Sequence, residues 1–402
     1  MRYKFYNCMM DKMKFNKKLL IYVEERDLKP TGGASGYNYN LSQGLKDIQA
    51  SNYYYLNSPT SAKDVMHSLK DTSLKRLLFI FFRIANVYKI LHKKSNFART
   101  DLNKFEIVHF HSSKDLYESR SSLEGYQGKV VLTCHQPKPY TFEFIEDVIT
   151  PFERKYFSKF YLKMLSMEEY AFNRADYIVF PCPEAEEPYF QKWDKYSKIH
   201  ADNKDKYRYL LTGTKKSTYK IEKDTYRKSL SIGRTDFVVT FVGRHNSTKG
   251  YDVLKKIGKD LSHSSIQFLI AGKEDPLKGL DQPNWHEVGW TNDPGSVINA
   301  SDLFILPNKS TYFDLVLLEV LSLGKIVLAS RTGGNKFFER IEAHGVILFD
   351  DVAEAEAKIS EIQSMSDNQR IELGKANYEL YEKYFSNSVF AHNYVNLINS
   401  LE

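Results

Sequence analysis

Three short segments of this chain hold residue types that could manage a phosphate-bearing ligand. The first is Phe241-Val-Gly-Arg-His-Asn-Ser-Thr-Lys-Gly250, set between an apolar run and a helical pattern. Gly243 permits a sharp turn, and Arg244 and Lys249 bring two fixed cations to the end of the preceding strand. Arginine offers a bidentate fork and lysine a point charge, a combination suited to a diphosphate. A surface loop with two solvated charges would read the same way. The second segment is Pro307-Asn-Lys-Ser-Thr-Tyr-Phe-Asp-Leu-Val-Leu-Leu-Glu319, in which a strand ends at Pro307 and a helix begins near Asp314. Free amides and the positive dipole end of that helix favour an anion. Glu319 falls within the apolar run VLLEVL, where a carboxylate is costly unless it is paired. A hydroxyl-rich partner such as a ribose diol meets that need, and so would a structural Arg or Lys. The third segment, Arg331-Thr-Gly-Gly-Asn335, either opens its amides to a ligand through Gly333 and Gly334 or is only a turn.

The elements that must position these residues alternate between strand and helix, the pattern of parallel sheets covered on both faces. In the second half, strands are expected at Phe237–Val242, Ile266–Ala271, Asp302–Pro307, Lys325–Ser330 and Val346–Phe349, with a helix over Leu315–Leu323. In the first half they are expected at Leu19–Val23, Ile107–Phe110, Val130–Cys134 and Tyr177–Pro181. A Gly-rich loop, Pro30-Thr-Gly-Gly-Ala-Ser-Gly-Tyr37, precedes a helix expected over Tyr39–Ile48. The polar stretch Lys192–Lys223 reads as the connection between domains, and the tail Asn368–Leu401 reads as helical. No internal repeat or low-complexity tract is evident.

A length of 402 residues exceeds one ordinary core and suggests two α/β domains. With 42% hydrophobic and 27% charged residues, the composition is that of a globular chain rather than a disordered one. Cys8, Cys134 and Cys182 are odd in number and widely spaced, which fits a reducing compartment and shows neither a disulfide framework nor metal spacing. The apolar run Leu19–Val23 is too short for a signal segment, and no run of about 18 apolar residues occurs. A cytoplasmic chain, soluble or peripheral on the inner face of a membrane, is the expectation, with the first twelve residues as a dispensable extension. The net charge of +7 suits an anionic partner without choosing one.

In order, spacing and placement, the three segments resemble the donor half of the retaining glycosyltransferases of family 4, also called group 1, which have the GT-B fold. The family pattern runs strand, Gly-Arg, four residues, Lys-Gly, and later two glutamates that flank a Phe-Gly-Leu. Gly243-Arg244 and Lys249 match the first part. Glu319 matches the second glutamate, which in the family holds the ribose, and Phe313, Leu315 and Val316 also match, with the amides of Leu315 and Val316 implied to lie near the phosphates. Two positions depart: Thr311 replaces the first glutamate, which touches donor-sugar hydroxyls, and Asp314 replaces the glycine, with part of that contact open to it. In the first half, the loop holding Gly32 and Gly33 resembles the family loop that closes over the diphosphate. Val130-Val-Leu-Thr-Cys-His135 resembles its strand-end histidine, which makes His135 the matching active-site position, although a histidine after a strand can equally be a satisfied structural residue. His109 and His111 are spaced like metal ligands on a strand face, but without a third ligand they read as structural or as lining a cleft.

The resemblance implies an α/β protein of two Rossmann-like domains whose parallel sheets face across a cleft. Residues 1–205 would be the acceptor-side domain, 206–378 the nucleotide-sugar domain, and 379–402 a helix crossing back to the first. It implies transfer of a hexose or deoxyhexose from a nucleoside diphosphate sugar to an acceptor hydroxyl with retention, in cell-surface or capsular polysaccharide synthesis. No cofactor is implied; the sugar nucleotide is a co-substrate, with UDP as the first candidate. No acidic Asp-x-Asp motif is present, so metal-independent chemistry is expected, with Arg244 and Lys249 stabilising the leaving diphosphate. A non-catalytic partner subunit that keeps the fold is the main alternative, and Thr311 favours it. Nucleic-acid binding and epimerisation are further readings, though no recognised nucleic-acid reading motif is present.

Residues 73–94 are basic and aromatic at helical spacing, with Leu77, Phe81, Ile84, Tyr88 and Leu91 on one face. Lys75, Arg76, Arg83, Lys89, Lys93 and Lys94 supply cations. Such a helix either lies on an anionic membrane near a glycan or lipid-linked acceptor, or packs on the sheet with a solvated basic face.

Overall fold

The computed structural model describes residues 13–23, 28–30, 33–57, 73–92 and 101–402; Cys8, Gly32, Lys93 and Lys94 lie outside them. The chain forms two compact units. The first gathers Met1–Phe180, Tyr189–Leu210 and Ala391–Glu402, and the second gathers Pro181–Pro188 and Leu211–Phe390.

In the first unit, β1 (Lys14–Val23), β2 (Ser51–Asn57), β3 (Ile107–Phe110), β4 (Lys129–Thr133), β5 (Tyr177–Phe180) and β6 (Tyr207–Tyr209) form one parallel sheet in the order β2-β1-β3-β4-β5-β6. Every residue of β3 is buried, which is why a run as short as Ile-Val-His-Phe signals a strand. The two edge strands escaped the sequence reading. An edge strand has one neighbour and needs no continuous apolar run, so Ser-Asn-Tyr-Tyr-Tyr-Leu-Asn and Tyr-Arg-Tyr carry little signal. As a consequence, the stretch Lys192–Lys223 is not a plain connection: it holds the Tyr196–Asp202 helix and β6.

The first-unit helix runs over Ala34–Asp47 rather than starting at Tyr39, so the second half of the expected Gly-rich loop is its first turn. Gly33, at φ 73°, ends the loop. Ser35, Gly36, Tyr37 and Asn38 are buried, and Asn38 and Asn40 donate to the Ala34 and Gly36 carbonyls. Burial and these local hydrogen bonds override the weak helix propensity of the residues.

The Ser73–His92 helix packs through Ile80, Val87, Ile90 and Leu91 against Phe144, Ile149, Phe157, Met164 and Met167. Its buried stripe is therefore offset from the face expected from the sequence, and Phe81, Phe82 and Tyr88 point outward. Arg83 is not a free cation, because it pairs with Glu153 at 2.7 Å. The neighbouring Pro151–Arg174 helix exposes Phe152, Tyr156 and Leu162, with the Lys155 ammonium over the Phe152 and Tyr156 rings. No helix among the described residues is long and apolar enough to cross a membrane.

In the second unit, β7 (Phe237–Val242), β8 (Ile266–Ala271), β9 (Trp285–Gly289), β10 (Leu303–Leu306), β11 (Ile326–Ser330) and β12 (Val346–Phe349) pair in parallel in the order β12-β11-β10-β7-β8-β9. The alternation of side chains in β7 divides the core. Phe237, Val239 and Phe241 pack with residues of the Tyr251–Asp260 and Val352–Ser364 helices, while Val238 packs with Leu269, Val297 and Ala300 on the other face. Each such side chain contributes about 1.5–3 kcal/mol by leaving water. β9 escaped the sequence reading because it is the other edge, with an interrupted burial pattern. The sheet order reverses between β7 and β10, and the carboxyl ends of strands at such a reversal leave a crevice for ligands.

A buried arginine fixes the entry to this sheet. Arg227, 1% exposed, donates to the carbonyls of Ala300 and Asp236 and to the Asp302 carboxylate at 2.8–2.9 Å. Lys223 also pairs with Asp302, at 2.7 Å. Burial alone would raise the Asp302 pKa, but the two cations outweigh it and hold it below its ordinary value.

Candidate functional site

The loops that follow β7, β10 and β11 meet at the reversal point of the second sheet. Their backbones touch. Gly250 is left-handed, at φ 66°, and a Cβ there would stand 1.6 Å from the Pro307 carbonyl oxygen, so only glycine allows the two loops this close. The Lys309 amide donates to the Thr248 carbonyl at 3.1 Å. A Cβ on Gly333 would stand 2.0 Å from the Thr311 carbonyl oxygen, which brings the third loop against the second. The three sequence segments therefore share one patch.

On this scaffold Gly243 donates its amide to Ala271 at 2.9 Å, which pins the turn. Arg244 is exposed, and its guanidinium has no hydrogen bond or ion pair among the described residues. Lys249 is different. Its ammonium lies 2.8 and 3.0 Å from the two oxygens of Asp314, and the Asn308 amide also donates to Asp314. Asp314 is the N-cap residue of the Leu315–Ser322 helix, but its side chain does not cap that helix because Lys249 and Asn308 hold it. The amides of Leu315 and Val316 consequently have no acceptor among the described residues. Thr311 is buried in the loop, and its carbonyl accepts from the Gly334 amide at 3.4 Å.

Glu319 lies one turn into that helix. Its side chain is half-buried. Burial first, and the Asp314 carboxylate second, push its pKa up to about 7. It has no hydrogen bond or ion pair through its carboxyl among the described residues, so the structural Arg or Lys partner that the sequence left open is not there. The Gly333 amide is already taken: it donates to Glu187 at 3.2 Å, and Lys336 holds the same oxygen at 2.7 Å. Gly333 and Gly334 thus join loops rather than offer amides.

In the first unit, the switch from β1 to β3 brings the ends of β3 and β4 beside the Ala34–Asp47 helix. Tyr37 lays its ring on His135 with centroids 4.3 Å apart, and His111 Nδ1 and His135 Nε2 are 2.8 Å apart. Burial holds His135 down to about 3, so the ring is neutral at physiological pH. It can share a hydrogen bond but does not supply a positive charge. His109 is structural: its ring nitrogens meet the Tyr394 hydroxyl and the Thr133 hydroxyl at 2.8 Å each. His111 is the partner the sequence did not identify. Strand alternation places it on the same face as His109, but only pairing of β3 with β4 shows that His135 is opposite. Asn308 and Tyr37 were missed for the same reason.

Two parallel Rossmann-like sheets, with two phosphate-suited loops at the reversal point of the second, define the GT-B class of α/β fold. Residues 236–365 match the family model described as Glycosyl transferases group 1, and the second unit therefore carries the group 1 glycosyltransferase region that its motifs resemble. Among solved structures, the chain is similar to the sucrose-phosphate synthase of Thermosynechococcus elongatus, with a TM-score of 0.66 and 17% identity over 96% of this chain and 98% of that one. It is also similar to Anabaena HepE in complex with UDP-glucose, with a TM-score of 0.62 and 15% identity over 96% of this chain and all of that one. At such identities the likeness shows the fold. Among curated relatives, an Escherichia coli UDP-Gal:alpha-D-GlcNAc-diphosphoundecaprenol alpha-1,3-galactosyltransferase is 26% identical over 31% of this chain and 36% of its own length. The Escherichia coli O-antigen biosynthesis glycosyltransferase WclY is 22% identical over 50% of this chain and 61% of its own. The matches to the first two such relatives span only 36% and 45% of their lengths.

Proposed function

We propose that this chain transfers a hexose or deoxyhexose from a nucleoside diphosphate sugar to an acceptor hydroxyl, with retention, in the synthesis of a cell-surface or capsular polysaccharide. The observation that carries the reading is a Glu319 carboxyl, two helix-end amides and an Arg244 guanidinium that all lack protein partners among the described residues, carried by loops and a helix that meet at the reversal point of one sheet. A nucleotide diol would meet the carboxylate, and the diphosphate would meet the amides and cations. Breaking the bond from the sugar to the diphosphate builds negative charge on the leaving group. Arg244, Lys249 and the amides of Leu315 and Val316 stabilise it, and Glu319 serves donor affinity rather than bond cleavage. In the first unit, Gly33 would lie at the diphosphate loop, and His135, neutral, would hydrogen-bond a sugar hydroxyl. UDP is the first candidate nucleotide, in keeping with the UDP-glucose complex of HepE.

The acceptor in this reading is a glycan or a lipid-linked glycan, reached at the cytoplasmic face of a membrane. Phe81, Phe82 and Tyr88 on one helix, with Phe152 and Tyr156 on the next, would enter the headgroup layer while Lys89, Lys155 and Lys159 meet anionic lipid. Flotation with anionic vesicles at low salt tests this part, and absence of binding removes it.

The Lys249–Asp314 pair favours a second reading, a non-catalytic partner subunit, since it occupies one phosphate-binding cation. Melting curves with UDP, GDP, dTDP and ADP at about 100 times a plausible Kd separate the two. Binding at that excess stabilises by about 2.7 kcal/mol. One nucleotide should raise the melting point of the natural chain and not of Glu319→Ala. If none does, the partner-subunit reading replaces the transferase.

A further inference from the structure

We propose that His245, Glu274 and Glu287 form a divalent-cation site that clamps the Arg244–Lys249 loop to the carboxyl ends of β8 and β9. It lies wholly within the second unit, stands apart from the transferase reading, and departs from the expectation of no metal drawn from the sequence.

His245 is 0% exposed, yet neither ring nitrogen has a hydrogen-bond partner among the described residues. A neutral imidazole carries one donor and one acceptor, and leaving both unmet in the interior is costly. The ring stacks on Tyr251 at 3.9 Å, with planes 5° apart, so it cannot easily swing away to find partners. Its Nε2 lies 4.0 Å from Glu287 Oε2, too far for a hydrogen bond. Glu274 completes a set in which one ligand atom from each residue lies within 4.8 Å of the others. Three ligands about 2.0–2.2 Å from one cation stand roughly 3.0–3.6 Å from one another. The three groups therefore need to close by up to about an ångström, a movement open to the two exposed glutamate side chains. Two carboxylates held this near each other also gain from a cation between them.

The surroundings orient the ligands as metal sites require. Glu287 Oε1 accepts from the Tyr251 hydroxyl and, at 2.8 Å, from Trp285 Nε1, which leaves Oε2 toward His245. Glu274 Oε1 accepts from the Gly279 amide at 3.0 Å. A Cβ on Gly279 would stand 2.3 Å from Glu287 Oε1, so a side chain there would push the carboxylate out of its present position. The His245 amide donates to Lys273 at 2.9 Å, and its carbonyl accepts from Leu277 at 3.0 Å. The imidazole is buried while both glutamates are exposed, so water can complete the coordination. One imidazole with two carboxylates suits zinc or manganese better than calcium, which prefers oxygen alone.

The test uses the full chain without a histidine tag, stripped with a chelating resin and then titrated with Zn2+, Mn2+ and Co2+. Metal content and the visible band of bound Co2+ are read for the natural chain, His245→Ala and Glu274→Gln. Hydrogen exchange over residues 243–250 is followed with and without metal. The expected result is one equivalent bound per natural chain and slower exchange in that loop, with affinity at least about tenfold weaker in both variants. Glu274→Gln alters an exposed side chain and keeps the comparison valid if His245→Ala unfolds. No retained metal and no Co2+ band in the natural chain would overturn the site, as would equal binding by the natural chain and Glu274→Gln.

Discussion

Replacing Glu319 by glutamine should stabilise the protein at alkaline pH while it removes nucleotide binding. The carboxyl is raised from an ordinary 4.5 to about 7, first by burial and then by Asp314. A folded-state pKa above the unfolded one means that the folded chain binds the proton more tightly. The associated stability is complete below about pH 4.5 and is lost as pH rises through about 7. Full ionisation costs about 3 kcal/mol, and about 2 kcal/mol of that falls between pH 5 and 8. Glutamine has nearly the same shape and carries no charge. The variant should therefore melt close to the natural chain at pH 5 and above it at pH 8, by about 4–8 °C for a domain of this size. Scanning calorimetry at both pH values, with and without UDP, reads the two effects together. A gap that does not grow with pH would refute the assignment of strain to the ionised carboxylate. Retention of the UDP shift by the variant would refute its role in holding the ribose.

Arg244→Ala and Lys249→Ala should each lower turnover by about 10²–10³ while melting near the natural chain, because removing one such charge-stabilising donor costs about 2.7–4 kcal/mol of barrier; a radiolabelled-donor assay beside melting curves checks both. Asp314→Gly should free Lys249 and tighten UDP binding a few-fold, since a partly exposed pair of this kind is worth up to about 1 kcal/mol; calorimetric titration measures it, and weaker binding would show that Asp314 itself serves the ligand. Arg227→Ala should destabilise the second unit by about 3–5 kcal/mol, because it takes one of two cations from Asp302 and removes a donor from three carbonyls; urea unfolding reads the loss.

The strands that lie inside both sheets were legible in the sequence because they are buried on both faces. Phe237–Val242 and Ile107–Phe110 are continuous apolar runs for that reason. The family signature was legible as well, since Gly243-Arg244, Lys249 and Glu319 keep fixed intervals along one chain. Of the edge strands, Val346–Phe349 was legible as an apolar run, whereas Ser51–Asn57, Tyr207–Tyr209 and Trp285–Gly289 were not, because a strand with one neighbour has no obligatory apolar pattern. Pairings across the fold were beyond the sequence altogether. Nothing in residue order shows that Asp314 takes Lys249, that His111 meets His135, or that His245 is buried without a partner. Composition and local spacing determine which elements form, because burial and backbone hydrogen bonding act residue by residue along the chain. Which charges meet is decided only when sheet order and loop contact bring distant segments within a few ångströms, the range over which hydrogen bonds and buried charges act.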